Sequence, residues 1–190
     1  MLILASGSRY RHELLSRLVS DFQTVSPDVD EDAVKAENLP PVALAQTLAR
    51  MKTEAVARLH PQATVIGSDQ LVNLNGRVLG KPGTAEAAVE QLLEMAGQAH
   101  ELVTAVTVLG NETTSDLISI TRLQMRRLSR SEAERYVARD NPLDCAGSYR
   151  IESAGISLFD RIDCDDFTSI IGLPLMRLAR DLRQRGFDCP

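Results

Sequence analysis

Ser6, Gly7 and Ser8 stand between a short apolar run, Leu2 to Ala5, and an amphipathic segment that opens with Arg9, Tyr10 and Arg11. Small hydroxyl residues at a strand-to-helix turn leave backbone N–H groups pointing outward, and such a terminus binds anions. Arg11 adds a charge-assisted fork that suits a phosphate. The same residues also fit a serine N-cap beside a solvated arginine, so by themselves they leave both readings open. Asp69, in Gly67-Ser68-Asp69-Gln70, interrupts the otherwise apolar run 64-TVIGSDQLVNL-74. A carboxylate inside such a strand needs partners, unless it marks a turn or bulge. Lys81, in Gly80-Lys81-Pro82, follows the hairpin signal Asn75-Gly76, and the returning arm of that hairpin brings it back towards Asp69. A cation and a carboxylate next to a phosphate-shaped turn form an active-site pattern.

Two more groups can join them. Glu31 ends the acidic run 28-DVDE-31. Such runs are ordinarily solvated surface, but this one leaves the end of a predicted strand, so it can reach the same edge as Ser6 to Ser8. Carboxylate oxygens around a phosphate imply Mg²⁺ or Mn²⁺. Lys52 lies near the inward stripe of a predicted helix; taken alone it reads as a surface lysine with a buried stem.

The elements that must position these groups are legible from periodicity and punctuation. Strands are predicted at 2–5, 22–25, 64–66 with 70–74, 102–109, 115–127 and 155–159. Helices are predicted over roughly 9–20, over 41–59 with Leu44, Leu48, Met51, Ala55 and Leu59 inward, over 85–96 capped by Thr84, over 132–139 capped by Ser131, and after Gly172-Leu173-Pro174. Residues 28–40 read as a loop. Interleaved helices and strands with at least two hairpins give an α/β fold with a mixed sheet rather than a doubly wound parallel one. Helix 85–96, the long hairpin and helix 132–139 form a segment able to stand apart from the rest.

With 190 residues, 44% of them apolar and 25% charged, the composition is that of a globular protein with a real core. The net charge of −5 argues against coating a nucleic acid, though local cations can still hold a small anion. No run spans a membrane and no targeting segment is evident. Three scattered cysteines, Cys145, Cys164 and Cys189, suit a cytoplasmic location with reduced thiols, and Cys145 and Cys164 are expected to be buried or inert. His12, His60 and His100 lack ligand spacing for zinc. Tyr136 and Tyr149 are expected to be packing residues.

In order and spacing, Ser6-Gly7-Ser8-Arg9-Tyr10-Arg11, 28-DVDE-31, Lys52, Asp69, Gly80-Lys81-Pro82, 146-AGSYRIES-153 and 172-GLPL-175 resemble the motifs of the Maf family of nucleotide pyrophosphatases. The resemblance runs nearly the full length. It departs at Arg9, where the family has a proline that presets the first helical turn; here Arg9 either adds a phosphate contact or faces water. The resemblance implies a single domain over 1–190 with a Maf/inosine-triphosphatase-like fold, two lobes around a central cleft. The implied reaction is hydrolysis of a nucleoside triphosphate to the monophosphate and pyrophosphate. Asp69 falls on the general base, and Ser6, Ser8, Arg11, Lys52 and Lys81 fall on phosphate-binding positions. Glu31 with Asp69 would hold a divalent metal, Mg²⁺ or Mn²⁺. Three further positions divide the family, and Tyr10, Gln70 and Glu152 resemble the branch that acts on 7-methyl-GTP rather than the one that acts on dTTP and UTP.

That assignment is chemically coherent. N7-methylation makes the guanine ring system cationic, and an aromatic face favours a cation by about 0.5–2 kcal/mol. A carboxylate at Glu152 accepts from both guanine donors, N1–H and the exocyclic amine. The alternatives are a dTTP/UTP or broader nucleotide pyrophosphatase and, in a different class, a nucleotide-binding regulator of septum formation. A homodimer is expected from the resemblance and the frequency of two-fold assemblies; no nucleic-acid polymer or membrane partner is expected.

Overall fold

The computed structural model describes residues 1–110 and 112–190. Among these, the strands are β1 (Leu2–Ala5), β2 (Gln23–Val25), β3 (Thr64–Leu74), β4 (Arg77–Leu79), β5 (Ala99–Gly110), β6 (Thr113–Met125) and β7 (Phe159–Asp163). The helices are α1 (Arg9–Leu15), α2 (Glu31–Lys35), α3 (Pro41–Leu59), α4 (Ala85–Met95), α5 (Arg130–Asp140), α6 (Thr168–Ile171) and α7 (Leu175–Gln184). The chain divides into two compact units, the first made of 1–69, 104–119 and 166–190, the second of 70–103 and 120–165. The fold is α/β with a mixed sheet, as the interleaved pattern predicts.

In the first unit the strand order is β2-β1-β3-β5-β6. β1 runs parallel to both neighbours, with Ala5 opposite Val25 on one side and Gly67 on the other. Successive residues of a strand face opposite sides, and the sequence uses both. Leu2, Leu4 and Ile66 pack with Leu14 and Leu15 of α1 and Leu175, Leu178 and Leu182 of α7. Ile3, Ala5 and Val65 pack on the other side with Val56 of α3. The central strands are therefore apolar on both faces, as buried parallel strands must be.

In the second unit the order is β4-β3-β5-β6-β7. Asn75 and Gly76 both take positive φ, 52° and 91°, as the two-residue turn between β3 and β4 requires. α4 is capped by Thr84, whose hydroxyl accepts from Ala87 N.

Several expected boundaries move. α1 stops at Leu15 rather than near 20: the Ser16 hydroxyl bonds back to the His12 carbonyl at 2.9 Å, a competitor to helix propagation. Leu18 and Val19 still pack on the core from the turn that follows. Residues 31–35 are helix, not loop, because Asp30 caps Ala33 N at 3.1 Å. In α3 the inward face is Leu44, Ala45, Leu48, Ala49, Lys52, Thr53 and Val56; Leu59 is 74% exposed, so the stripe is rotated from the expected one. The cap of α5 is Ser129, paired with Glu132 in a capping box, not Ser131. Residues 154–158 form a 3₁₀ helix before β7, where a strand is expected from 155. α6 carries no sequence signal strong enough to predict it. Of the two cysteines expected to be buried or inert, Cys164 is exposed and Cys145 half-buried. Tyr136 and Tyr149 are buried, as expected.

Candidate active site

Asp69 owes its position to Gly67. A Cβ at Gly67 would lie 2.2 Å from Thr53 Oγ1 and 2.8 Å from the Ala49 carbonyl, so only glycine lets β3 press directly on α3. Thr53 is itself tied down, its hydroxyl donating to the Ala49 carbonyl at 2.8 Å. Gly67 and Asp69 point to the same face of β3, and Lys52, beside Thr53 on α3, is thereby brought to Asp69. Lys52 Nζ lies 2.6 Å from Asp69 Oδ1 and 2.8 Å from Glu31 Oε1. The Lys52 and Asp69 side chains are only 10% and 11% exposed, which overturns the reading of Lys52 as a surface lysine.

Glu31 reaches this point because β2 ends level with β1 and hands the chain, through 26–30, to the first turn of α2. Lys35, one turn along, holds the other Glu31 oxygen at 3.4 Å. Burial would raise the Glu31 pKa, but hydrogen bonding and charge from Lys52 and then Lys35 outweigh it, and the carboxyl is held below its ordinary range.

The opening turn stands beside this chain of charges. Since Ala5 pairs with Gly67, β1 leaves the sheet at Ser6, next to Ser68. Ser6 Oγ accepts from Ser8 N at 3.1 Å, and Ser8 Oγ accepts from Arg11 N at 3.5 Å. Two amides expected to point outward are thus spent on local hydroxyls. With α1 only seven residues long, the anion-binding capacity of this turn rests on Arg11 more than on a helix dipole. Arg11 donates to the Ser68 carbonyl at 2.9 Å. Burial lowers the Arg11 pKa, and the negative charges of Asp69 and Glu31 oppose that fall. Ser68, on the opposite face from Asp69, donates to the Gly172 carbonyl at 3.0 Å. Gly172, at φ 133°, leaves 3.2 Å between its Cβ position and Arg11 Cγ, so the segment Gly172-Leu173-Pro174 backs the arginine.

The structure therefore gathers Ser6, Ser8, Arg11, Glu31, Lys52 and Asp69 in the first unit, at the carboxyl ends of parallel strands, where open α/β sheets bind ligands. Tyr10 belongs to the same unit and is half-buried. Arg9 is exposed, but its guanidinium lies 4.8 Å from the centroid of the Tyr10 ring and donates to the Tyr10 hydroxyl at 2.9 Å, a contact the sequence did not suggest. Gln70, Lys81 and Glu152 belong to the second unit. There β3 and β4 pair Val72 with Leu79, and Lys81 lies two residues beyond the end of β4. Glu152 is exposed at a turn. Among the described residues no three His, Cys, Asp or Glu side chains converge as a metal-binding group. Among the described residues no helix is long and apolar enough to cross a membrane.

Fold and site together define a mixed α/β protein with a buried Lys52–Asp69 pair joined by the half-buried Glu31, beside a serine- and arginine-lined turn, the equipment of a phosphate-handling protein. Its family can be stated directly. The pattern of the Maf family, described as Maf-like protein, matches residues 1–185, and the chain belongs to that family. It is 50% identical over 189 residues to a 7-methyl-GTP pyrophosphatase of Xanthomonas axonopodis pv. citri, covering 100% of this chain and 98% of the relative. It is 48% identical over 181 residues to one of Bdellovibrio bacteriovorus, covering 95% of each. It is 48% identical over 192 residues to one of Pseudomonas putida, covering 100% of this chain and 98% of the relative.

Proposed function

We propose that this chain is a nucleoside triphosphate pyrophosphatase that hydrolyses 7-methyl-GTP to 7-methyl-GMP and diphosphate, in the cytoplasm, as a safeguard against modified nucleotides. The observation that carries the reading is the Lys52 ammonium held between Glu31 and Asp69 in a chain whose near full-length relatives bear that enzyme's name. Water attacks the α-phosphorus in line with the departing diphosphate, and Asp69 orients that water and takes its proton. The P–O bond to water forms as the bond from the α-phosphorus to the bridging oxygen breaks, and the electron pair leaves with diphosphate. Lys52 has three N–H donors, two engaged by Glu31 and Asp69, which leaves one for a phosphate oxygen. Arg11 offsets charge on phosphate oxygens, Ser6 and Ser8 shape the turn around them, and Lys81 is a further proposed phosphate-binding residue.

Glu31 and Asp69 would hold a divalent ion: both carboxylates reach the same Lys52 Nζ, at 2.8 and 2.6 Å, and each has a second oxygen that Lys52 does not engage. Mg²⁺ is ordinarily held by one or two carboxylates with substrate phosphates completing its shell, so the lack of a third acid is no obstacle. When bound, Mg²⁺ or Mn²⁺ supplies positive charge to the phosphate oxygens.

Tyr10, Gln70 and Glu152 are the proposed base readers. Tyr10 offers its ring to the cationic base. Glu152 supplies the acceptor pair for guanine. The test is to incubate the protein with Mg²⁺ or Mn²⁺ and a panel of nucleoside triphosphates and follow diphosphate release. Preference for 7-methyl-GTP is expected; preference for dTTP or UTP removes the substrate assignment. Asp69→Asn should lower turnover by about a thousandfold while leaving nucleotide binding measurable by calorimetry.

A further inference from the structure

We infer that Asp140 and Tyr136, two residues of α5 one turn apart, are positioning residues for Glu152: they clamp both ends of the four-residue turn Arg150–Ser153 and so fix the aim of its carboxylate. The inference rests on the reading of Glu152 as a base reader.

The turn is closed by Ser153 N donating to the Arg150 carbonyl at 3.2 Å. Its entry is fixed by Tyr136, whose hydroxyl accepts from Arg150 N at 2.9 Å. Its exit is fixed by Asp140, whose Oδ1 accepts from the Ser153 hydroxyl at 3.1 Å. The Asp140 side chain is 3% exposed, an expensive place for a carboxylate that serves only to hold a surface loop. Gly155 seals the arrangement, since a Cβ there would lie 2.2 Å from the Arg150 carbonyl oxygen, and no other residue could pass so close. The Arg150 guanidinium adds bonds to the Asn141 carbonyl at 3.2 Å and Asp144 Oδ1 at 3.0 Å, tying the turn to the end of the same helix. Ile151 is buried, so its neighbour Glu152 projects outward from the turn. Burial, with the nearby Asp140 charge adding, raises the Tyr136 phenol well above its usual range, so it stays a neutral hydroxyl.

An exposed acid needs no such frame to be soluble. A carboxylate that must meet two parallel donors does, because recognition fails when the acceptor is displaced by about 1 Å. The clamp therefore belongs to specificity rather than to the chemical step.

The experiment measures kcat and KM for 7-methyl-GTP and UTP, with thermal melting, in Asp140→Asn, Tyr136→Phe, Ser153→Ala and the control Glu152→Gln. The clamp variants are expected to lower the preference for 7-methyl-GTP over UTP by about fivefold, through KM for 7-methyl-GTP, with kcat within about twofold of the parent. If Glu152→Gln lowers that preference and the clamp variants only lower the melting temperature, the clamp is merely structural and the inference fails. If Glu152→Gln itself leaves the preference unchanged, the base-reading assignment fails and takes the inference with it. Should Asp140→Asn not fold, Ser153→Ala decides, since Ser153 is exposed and the change removes only a hydroxyl.

Discussion

Lys52 in the first unit and His100 in the second are both polar side chains taken out of water, and their surroundings differ in kind. Lys52 is compensated by charge: Asp69 and Glu31 sit within 2.6 and 2.8 Å of its ammonium. His100, 3% exposed, is enclosed by the rings of Tyr149 and Phe159 at 5.7 and 5.8 Å. Its Nε2 meets the Tyr149 hydroxyl at 3.1 Å. Burial pushes its pKa down to about 4, so the ring is held neutral. One unit compensates burial with ion pairing; the other holds its buried ring neutral within a packed aromatic cluster.

Three measurements test that contrast. Lys52→Ala should have the largest effect, because it leaves Asp69 buried without its cation; a loss of about 3–5 kcal/mol is expected in denaturant unfolding. A loss below about 1 kcal/mol would mean that Lys52 is not the partner that makes burial of Asp69 tolerable. Acidification comes next. The folded His100 pKa lies below the unfolded value, so its contribution is intact above about pH 6.5 and is lost as pH falls towards about 4, a difference of order 3 kcal/mol. The Glu31 contribution is present above the ordinary carboxylate range and is lost only as pH falls through its lowered value. Hydrogen exchange followed by mass spectrometry should therefore show α4, α5 and β7 losing protection at a higher pH than α3; simultaneous loss would refute the contrast. Gly67→Ala is the smallest of the three. Overpacking against Thr53 should cost about 1–3 kcal/mol and displace Lys52 from Asp69, lowering turnover along with stability. An alanine variant with parental activity would show that the glycine contact does not set the site.

Much of this was readable in the order of residues. Asp69 announced itself as a polar break in an apolar strand, Ser6 to Ser8 as small hydroxyl residues at a strand-to-helix turn, and the hairpin at Asn75-Gly76 by a dipeptide with one dominant geometry. Lys52 was hidden, because a lysine on a helix has no local mark of burial: its partners come from 31 and 69, and only the phase of α3 decides that it faces them. Leu59 misled that phase by sitting at helical spacing in the last turn, where it is exposed. α2 had a signal that went unused, Asp30 followed by two acids and then Lys35, the charge order of a capped short helix. Gly155-Ile156-Ser157-Leu158 looked like strand by its apolar residues, yet Gly155 is needed for its missing side chain against Arg150. Ser129 and Ser131 each have a glutamate three residues on, so only the geometry could choose between two equally good capping boxes.

The alternation along β3 sets how this chain can change over time. Gly67 and Asp69 face α3 while Ile66 and Ser68 face α1 and α7, so losing or gaining one residue between 64 and 69 would send every one of those side chains to the opposite layer. No compensating point substitution restores four positions at once. Length differences among descendants of this chain should therefore be purged from the strand.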